Sequence, residues 1–140
     1  MTDEQRLLLD TSVAVPLLVA SHPAHPAVAT WAAGRTLALA THSLAETYAV
    51  LTRLPGDARV SPEDAAALLD DGFAETLTPS PALARNVHRE LAARGVAGGA
   101  TYDGLIALTA AEHGAVLVTR DARARATYQA LGVGHETLVA

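Results

Sequence analysis

Short apolar runs alternate along this chain with longer segments whose apolar positions recur every three or four residues. RLLLD (residues 6–10), TLALAT (36–41) and AVLVT (115–119) are such runs. They are short for helices and lack the polar alternation of a strand with one wet face, so they read as strands buried on both sides. ETLTP (75–79) can add a further short strand, and HETLV (135–139) an edge strand.

The intervening segments have helical spacing. SVAVPLLVA (12–20) contains Pro16, which suits a first helical turn or a kink. HPAHPAVATWAAG (22–34) resumes helix after a proline-marked break and stops at Gly34. In SLAETYAVLTRL, Leu44, Tyr48, Leu51 and Leu54 recur at helical spacing until PGD at 55–57 breaks the pattern. Ser61, Pro62 and Asp64 then supply a cap, a first-turn proline and a negative charge at the positive end of the next helix. Further helices run from about Pro81 to Arg94, from Tyr102 to about His113, and through ARARATYQALG, with AGGA as a loop. Helices connecting short buried strands predict an α/β fold: a three-layer α/β/α sandwich whose central, mostly parallel sheet has four or five short strands. One domain spanning 1–140 accommodates all of it.

Composition removes several chemistries. Of 140 residues, 50% are hydrophobic and none is cysteine, which excludes disulfides, cysteine-ligated zinc, iron–sulfur clusters and thiol catalysis. All ten basic residues are arginine, so Schiff-base chemistry is out while bidentate phosphate contacts remain. A formal net charge of -5 argues against bulk nonspecific nucleic-acid binding, but not against a nuclease whose acidic site is neutralised by metal. The start MTDEQR lacks the positive lead of a secretion signal and LLL is too short to span a bilayer, so the expectation is a cytoplasmic protein without a membrane segment.

Four carboxylates then call for a joint explanation. Asp10 follows LLL, Glu46 lies in THSLAETY, Asp103 begins an exceptionally apolar helix, and Asp121 ends AVLVTRD. Each has an ordinary reading: Asp10, Asp103 and Asp121 as helix caps, Glu46 with Ser43 as a capping box. In a parallel sheet, however, ligands gather beyond the carboxyl ends of the strands, which puts Asp10 and Asp121 on one rim. Two like charges about 5 Å apart repel by roughly 3 kcal/mol at an effective dielectric near ~20. A cluster of this kind takes up protons, spreads out, or binds a hard cation, and oxygen donors suit Mg²⁺ or Mn²⁺ better than zinc. Such ions polarise a phosphodiester and activate a water for attack. Thr11, Ser12 and Thr119 offer neighbouring hydroxyls as supporting residues, and Arg120, Arg123 and Arg125 offer RNA phosphate contacts or a solvated helix face. His42, four residues before Glu46, reads as a strand-end or helix-start residue, and Trp31 as core.

With these positions in hand, the chain resembles the PIN domains, and in size and layout the VapC toxins of bacterial type II toxin–antitoxin pairs. The resemblance is carried by LLLDTSV, THSLAETYAVLTR and YDGLIALTAAEHGAVLVTRD, and more weakly by HPAVATWAAG, from Leu7 to Val139. It implies that Asp10, Glu46, Asp103 and Asp121 are the catalytic, metal-binding acids, and that Thr11 and Ser12 occupy the family's hydroxyl position. It further implies an Mg²⁺- or Mn²⁺-dependent endoribonuclease that slows translation and growth. The implied partners are RNA, a small cognate antitoxin, and a second copy in a homodimer or a higher toxin–antitoxin assembly.

Two other classes compete. A different metal-dependent phosphodiesterase or phosphatase would use the same acids, but an aspartyl-phosphate enzyme favours D-x-D after the first strand, where this chain has DTS. A non-catalytic binding scaffold would treat the acids as caps; as a nucleotide-binding module it would show a glycine-rich first loop, and neither G-x-G-x-x-G nor a P-loop occurs.

Overall fold

In the computed structural model, which describes residues 5–139, β1 (Leu7–Leu9) is the middle strand of a five-stranded, wholly parallel sheet. It pairs with β2 (Leu37–Ala40) on one side and with β4 (Val116–Thr119) on the other. β3 (Glu75–Leu77) extends the sheet beyond β2, and β5 (His135–Thr137) beyond β4, giving the order β3-β2-β1-β4-β5. The expected edge strand thus forms, and it too is parallel. The residues MTDE, part of the segment read for a secretion signal, lie outside the described residues.

Side-chain alternation along the strands builds two cores. Leu8, Ala38, Leu77 and Leu117 face one side, where they pack with buried residues of α5 (Pro81–Ala93), α6 (Thr101–Glu112) and α7 (Ala122–Ala130). Leu9, Leu37, Leu39 and Val118 face the other, against α1 (Thr11–Leu18), α2 (His25–Ala32), α3 (Thr41–Thr52) and α4 (Pro62–Gly72). This is the three-layer sandwich, and burial on both faces explains why the strands are uniformly apolar. Trp31 packs at the edge of the second core with Arg35 over its ring. Among the described residues no helix is long and apolar enough to cross a membrane.

Several boundaries follow local chemistry. Ser61 caps α4 by accepting from the Asp64 N–H, with Pro62 in the first turn. Gly34, Gly95 and Gly114 follow the ends of α2, α5 and α6 with positive φ, the left-handed turn that glycine adopts without strain. Other expectations are corrected. Pro16 lies within α1 beyond its first turn. α3 begins at Thr41, so Ser43 is buried inside the helix and forms no capping box with Glu46. AGGA contributes a single 3-10 turn, Gly98–Ala100, before α6.

The order of the sheet reverses at its centre: the chain leaves β1 toward β2 and later returns to place β4 on β1's opposite side. At such a switch point the helices after neighbouring strands diverge and leave a crevice beyond the strand ends. Asp10 follows β1 there and Asp121 follows β4. α6 reaches this crevice by packing tightly on α5: a Cβ built on Gly104 would come within 2.5 Å of a Leu91 methyl and 3.2 Å of one on Val96. Gly104→Val is expected to overfill this contact and lower stability by about 1–3 kcal/mol, read as a lower urea midpoint with unchanged m.

Candidate active site

The end of β1 fixes the first carboxylate. The Asp10 N–H extends the ladder to the Val118 carbonyl at 3.1 Å, and its side chain turns back to cap α1, accepting from the Ser12 N–H at 3.1 Å. The Ser12 hydroxyl donates to the same oxygen, Oδ1, at 2.5 Å, and the Tyr128 hydroxyl donates to Oδ2 at 2.9 Å. Asp10 is buried, which raises its pKa above the usual carboxylate value, while hydrogen bonds from Ser12, Thr119 and Tyr128 act in the opposite direction. The cap reading of Asp10 is therefore realised, at a position that also lines the crevice.

The other three acids reach the same crevice from separate helices. Glu46 lies on α3 and accepts a short hydrogen bond from the Thr11 hydroxyl; His42 Nε2 stands 3.5 Å from its second oxygen, too far for a good hydrogen bond. Asp103 is the third residue of α6 and does not cap it, since the preceding residue, Ala100, holds the cap position without a side-chain bond. Asp121 caps α7 through the Arg123 N–H at 2.9 Å, and its own N–H donates to Thr119 Oγ1 at 3.0 Å. Thr119 is thus a buried link between Asp121 and Ser12, whose hydroxyls lie 3.4 Å apart.

Asp10, Glu46, Asp103 and Asp121 line one pocket of about 130 Å³, together with Thr11, Ser12, Tyr102 and Ile106. No basic residue is among its walls. Desolvation, and then the charges of Asp10, Asp121 and Glu46, push the Asp103 carboxyl up to about 6, against a smaller pull from His42. Burial is the larger cause of that shift, and the three neighbouring carboxylates add to it. Four carboxylates with adjacent hydroxyls fit a hard divalent cation, which both neutralises them and accepts oxygen donors. Among the described residues, however, no group of three or more His, Cys, Asp or Glu side chains is placed so that it could hold a metal ion.

None of the three arginines forms a wall of this pocket. Pro16 has no N–H to give the Ser12 carbonyl its helical bond, and Arg120 Nη1 donates to that oxygen at 3.2 Å. The Arg120 N–H also donates to the Ser12 hydroxyl at 2.8 Å. Arg120 therefore braces Ser12 from within the protein. Arg123 is exposed with Nε 3.7 Å from Asp121, and Arg125 is exposed on a different side of α7.

Two features escaped the sequence pattern. Tyr128 is fully buried in the first core, yet its hydroxyl reaches Asp10 across 118 positions of sequence. The available signal was its place seven residues, two helical turns, after Asp121, since a buried tyrosine needs a partner for its hydroxyl. The second is a coplanar stack of His42 and Tyr102, with ring centroids 4.8 Å apart and an interplanar angle of 3°. His42 does share a side of α3 with Glu46, as its spacing allows.

Comparison with known proteins agrees with this geometry. The PIN domain family model matches residues 7–129. The chain is 56% identical over 127 residues to Ribonuclease VapC27 of Mycobacterium tuberculosis, covering 91% of this chain and 93% of that protein. Among solved structures, FitAB bound to an IR36 DNA fragment matches with a TM-score of 0.71 at 22% identity, over 94% of each chain. VapBC2 from Rickettsia felis, bound to a DNA fragment from its promoter, matches with a TM-score of 0.65 at 19% identity, over 96% of this chain and all of the other. Those two likenesses carry the fold, and the sequence identity carries the kinship: the chain belongs to the PIN-domain family and, within it, to the VapC ribonucleases.

Proposed function

We propose that this protein is a divalent-metal-dependent endoribonuclease, the toxin of a type II toxin–antitoxin pair, which hydrolyses RNA phosphodiester bonds and so inhibits translation and growth. The observation that carries the reading is the pocket lined by four carboxylates and no basic residue. The relative named as a ribonuclease, 56% identical across nearly the whole chain, supports the reaction class. Mg²⁺ or Mn²⁺ is the proposed ion, held by Asp10, Glu46, Asp103 and Asp121. When bound, such an ion stabilises charge on the phosphate and acidifies a water.

The chain's own residues supply position. Asp10 is held at both oxygens, so it presents a fixed lone-pair direction. Glu46 is more exposed and adjusts around its Thr11 contact. Ser12 and Thr119 support the acids, while Arg123 and Arg125 are the proposed contacts to flanking RNA phosphates. One domain spanning 1–140, acting in the cytoplasm as a homodimer and held by a small antitoxin in a larger assembly, completes the proposal. The antitoxin rests on the likeness to FitAB and to VapBC2, both solved with DNA fragments.

Purified protein free of antitoxin, incubated with total cellular RNA and Mg²⁺ or Mn²⁺, is expected to give discrete internal cuts. Chelator, Asp10→Asn and Asp103→Asn should each abolish them, with both variants folded by circular dichroism. Cutting that survives the two substitutions would sink the proposed site.

Two further expectations concern the ion itself. Mn²⁺ affinity measured by calorimetry should rise as pH rises through about 6, because Asp103 must give up a proton to bind. In metal-free buffer the sign for folding is opposite. The folded value, about 6, lies above the ordinary 3.8, so this group's stabilising contribution is complete below 3.8 and lost as pH rises through about 6. Tyr128→Phe keeps the ring but removes the donor to Asp10 Oδ2, and should weaken Mn²⁺ binding by about 10- to 100-fold, the range for partners that orient a metal ligand. Unchanged affinity would mean that Ser12 alone orients Asp10.

A further inference from the structure

Along α6 two adjacent residues face two neighbouring depressions. Asp103 and Ile106 line the acidic pocket, whereas Leu105 and Thr109 line an apolar hollow of about 350 Å³ whose remaining walls include His42 and Pro79. Tyr102 stands between them: it lines the acidic pocket and stacks on His42, which lines the hollow. The residue is 58% exposed, although a large aromatic side chain ordinarily withdraws from water.

One face of that ring is covered by His42 in parallel stacking, and His42 is in turn fixed on the first turn of α3 beside Glu46. A backed aromatic ring resists rotation and presents its second face in a constant direction. Its neighbours at the pocket are carboxylates, which repel phosphate, so whatever approaches this face beside the acids does so through an uncharged plane. An unpaired nucleobase has that plane and stacks on aromatic rings irrespective of sequence.

We infer that Tyr102, backed by His42, is a stacking platform for an unpaired nucleobase next to the phosphate that is cut. This rests on the ribonuclease reading of the adjacent pocket and adds to it the ring on which the nucleobase beside the cut phosphate is placed. The net charge of -5 fits this mode, since little of the grip on RNA then comes from bulk positive charge.

The test uses full-length protein carrying Asp10→Asn, so that RNA is bound without being cut, and a single-stranded oligoadenylate heptamer with a central 2-aminopurine. Binding should quench the 2-aminopurine fluorescence by stacking. Adding Tyr102→Ala should remove the quenching and weaken binding at least about five-fold, while Tyr102→Trp should retain both. Because Tyr102 is mostly exposed, thermal melting should be nearly the same in all three proteins. A heptamer that binds without quenching, or one that does not bind at all, overturns the proposal and leaves the ring to a protein partner. Binding and quenching unchanged by Tyr102→Ala overturn it equally. The two readings fail separately: wild-type cutting of cellular RNA that is indifferent to Tyr102→Ala removes the platform and keeps the nuclease. Quenching by a protein whose wild type cuts nothing does the reverse.

Discussion

The carboxylate of Asp10 is withdrawn from water at the end of the central strand, and the donors converging on it are what make that placement tolerable. Each donor comes from a different part of the fold. Ser12 arrives because α1 starts at once after β1, and Tyr128 because α7 runs back beneath the sheet's rim after β4. The Ser12 carbonyl, which Pro16 deprives of its helical partner, is taken by Arg120 at the end of β4. A helix start and the last helix are thus tied to one side chain, and the end of β4 to the serine that holds it.

Around that fixed acid the remaining carboxylates differ in freedom. Asp103 is held on a helix packed so closely that a Cβ on its next residue, Gly104, would press on Leu91, and burial first, then the neighbouring carboxylates, raise its pKa. Glu46 is more exposed and bonded to a threonine hydroxyl, which lets it adapt at little energetic consequence. Asp121 is partly compensated by the amino end of α7 and by Arg123.

The same rim offers a polyanion little positive charge. Arg120 is engaged inside the fold, Arg123 faces an aspartate, and the pocket itself is negative. Attraction by accumulated positive charge is therefore weak, and the exposed aromatic surface beside the pocket gains importance. In this chain, which belongs to the PIN-domain family, the crevice at the sheet's switch point is where the proposed chemistry lies. The residues on its shoulders are free to vary the contacts made with a substrate.

Sequence by itself determined the layers and the four acids. Uniform apolar runs such as LLL and VLVT have one comfortable environment, a sheet covered on both faces, and the switch-point rule then sends Asp10 and Asp121 to one edge. It could not determine what Ser43 and Glu46 do, because Ser-x-x-Glu caps a helix only where the helix begins, and α3 has already begun at Thr41. Nor could it reveal that Tyr128 serves Asp10, that Arg120 turns to the carbonyl freed by Pro16, or that His42 stacks on Tyr102. Local patterns register periodicity and end effects over a turn or two. These pairings lie 60 to 118 residues apart, and only the closing of the sheet brought their hydroxyls, guanidinium and rings within reach.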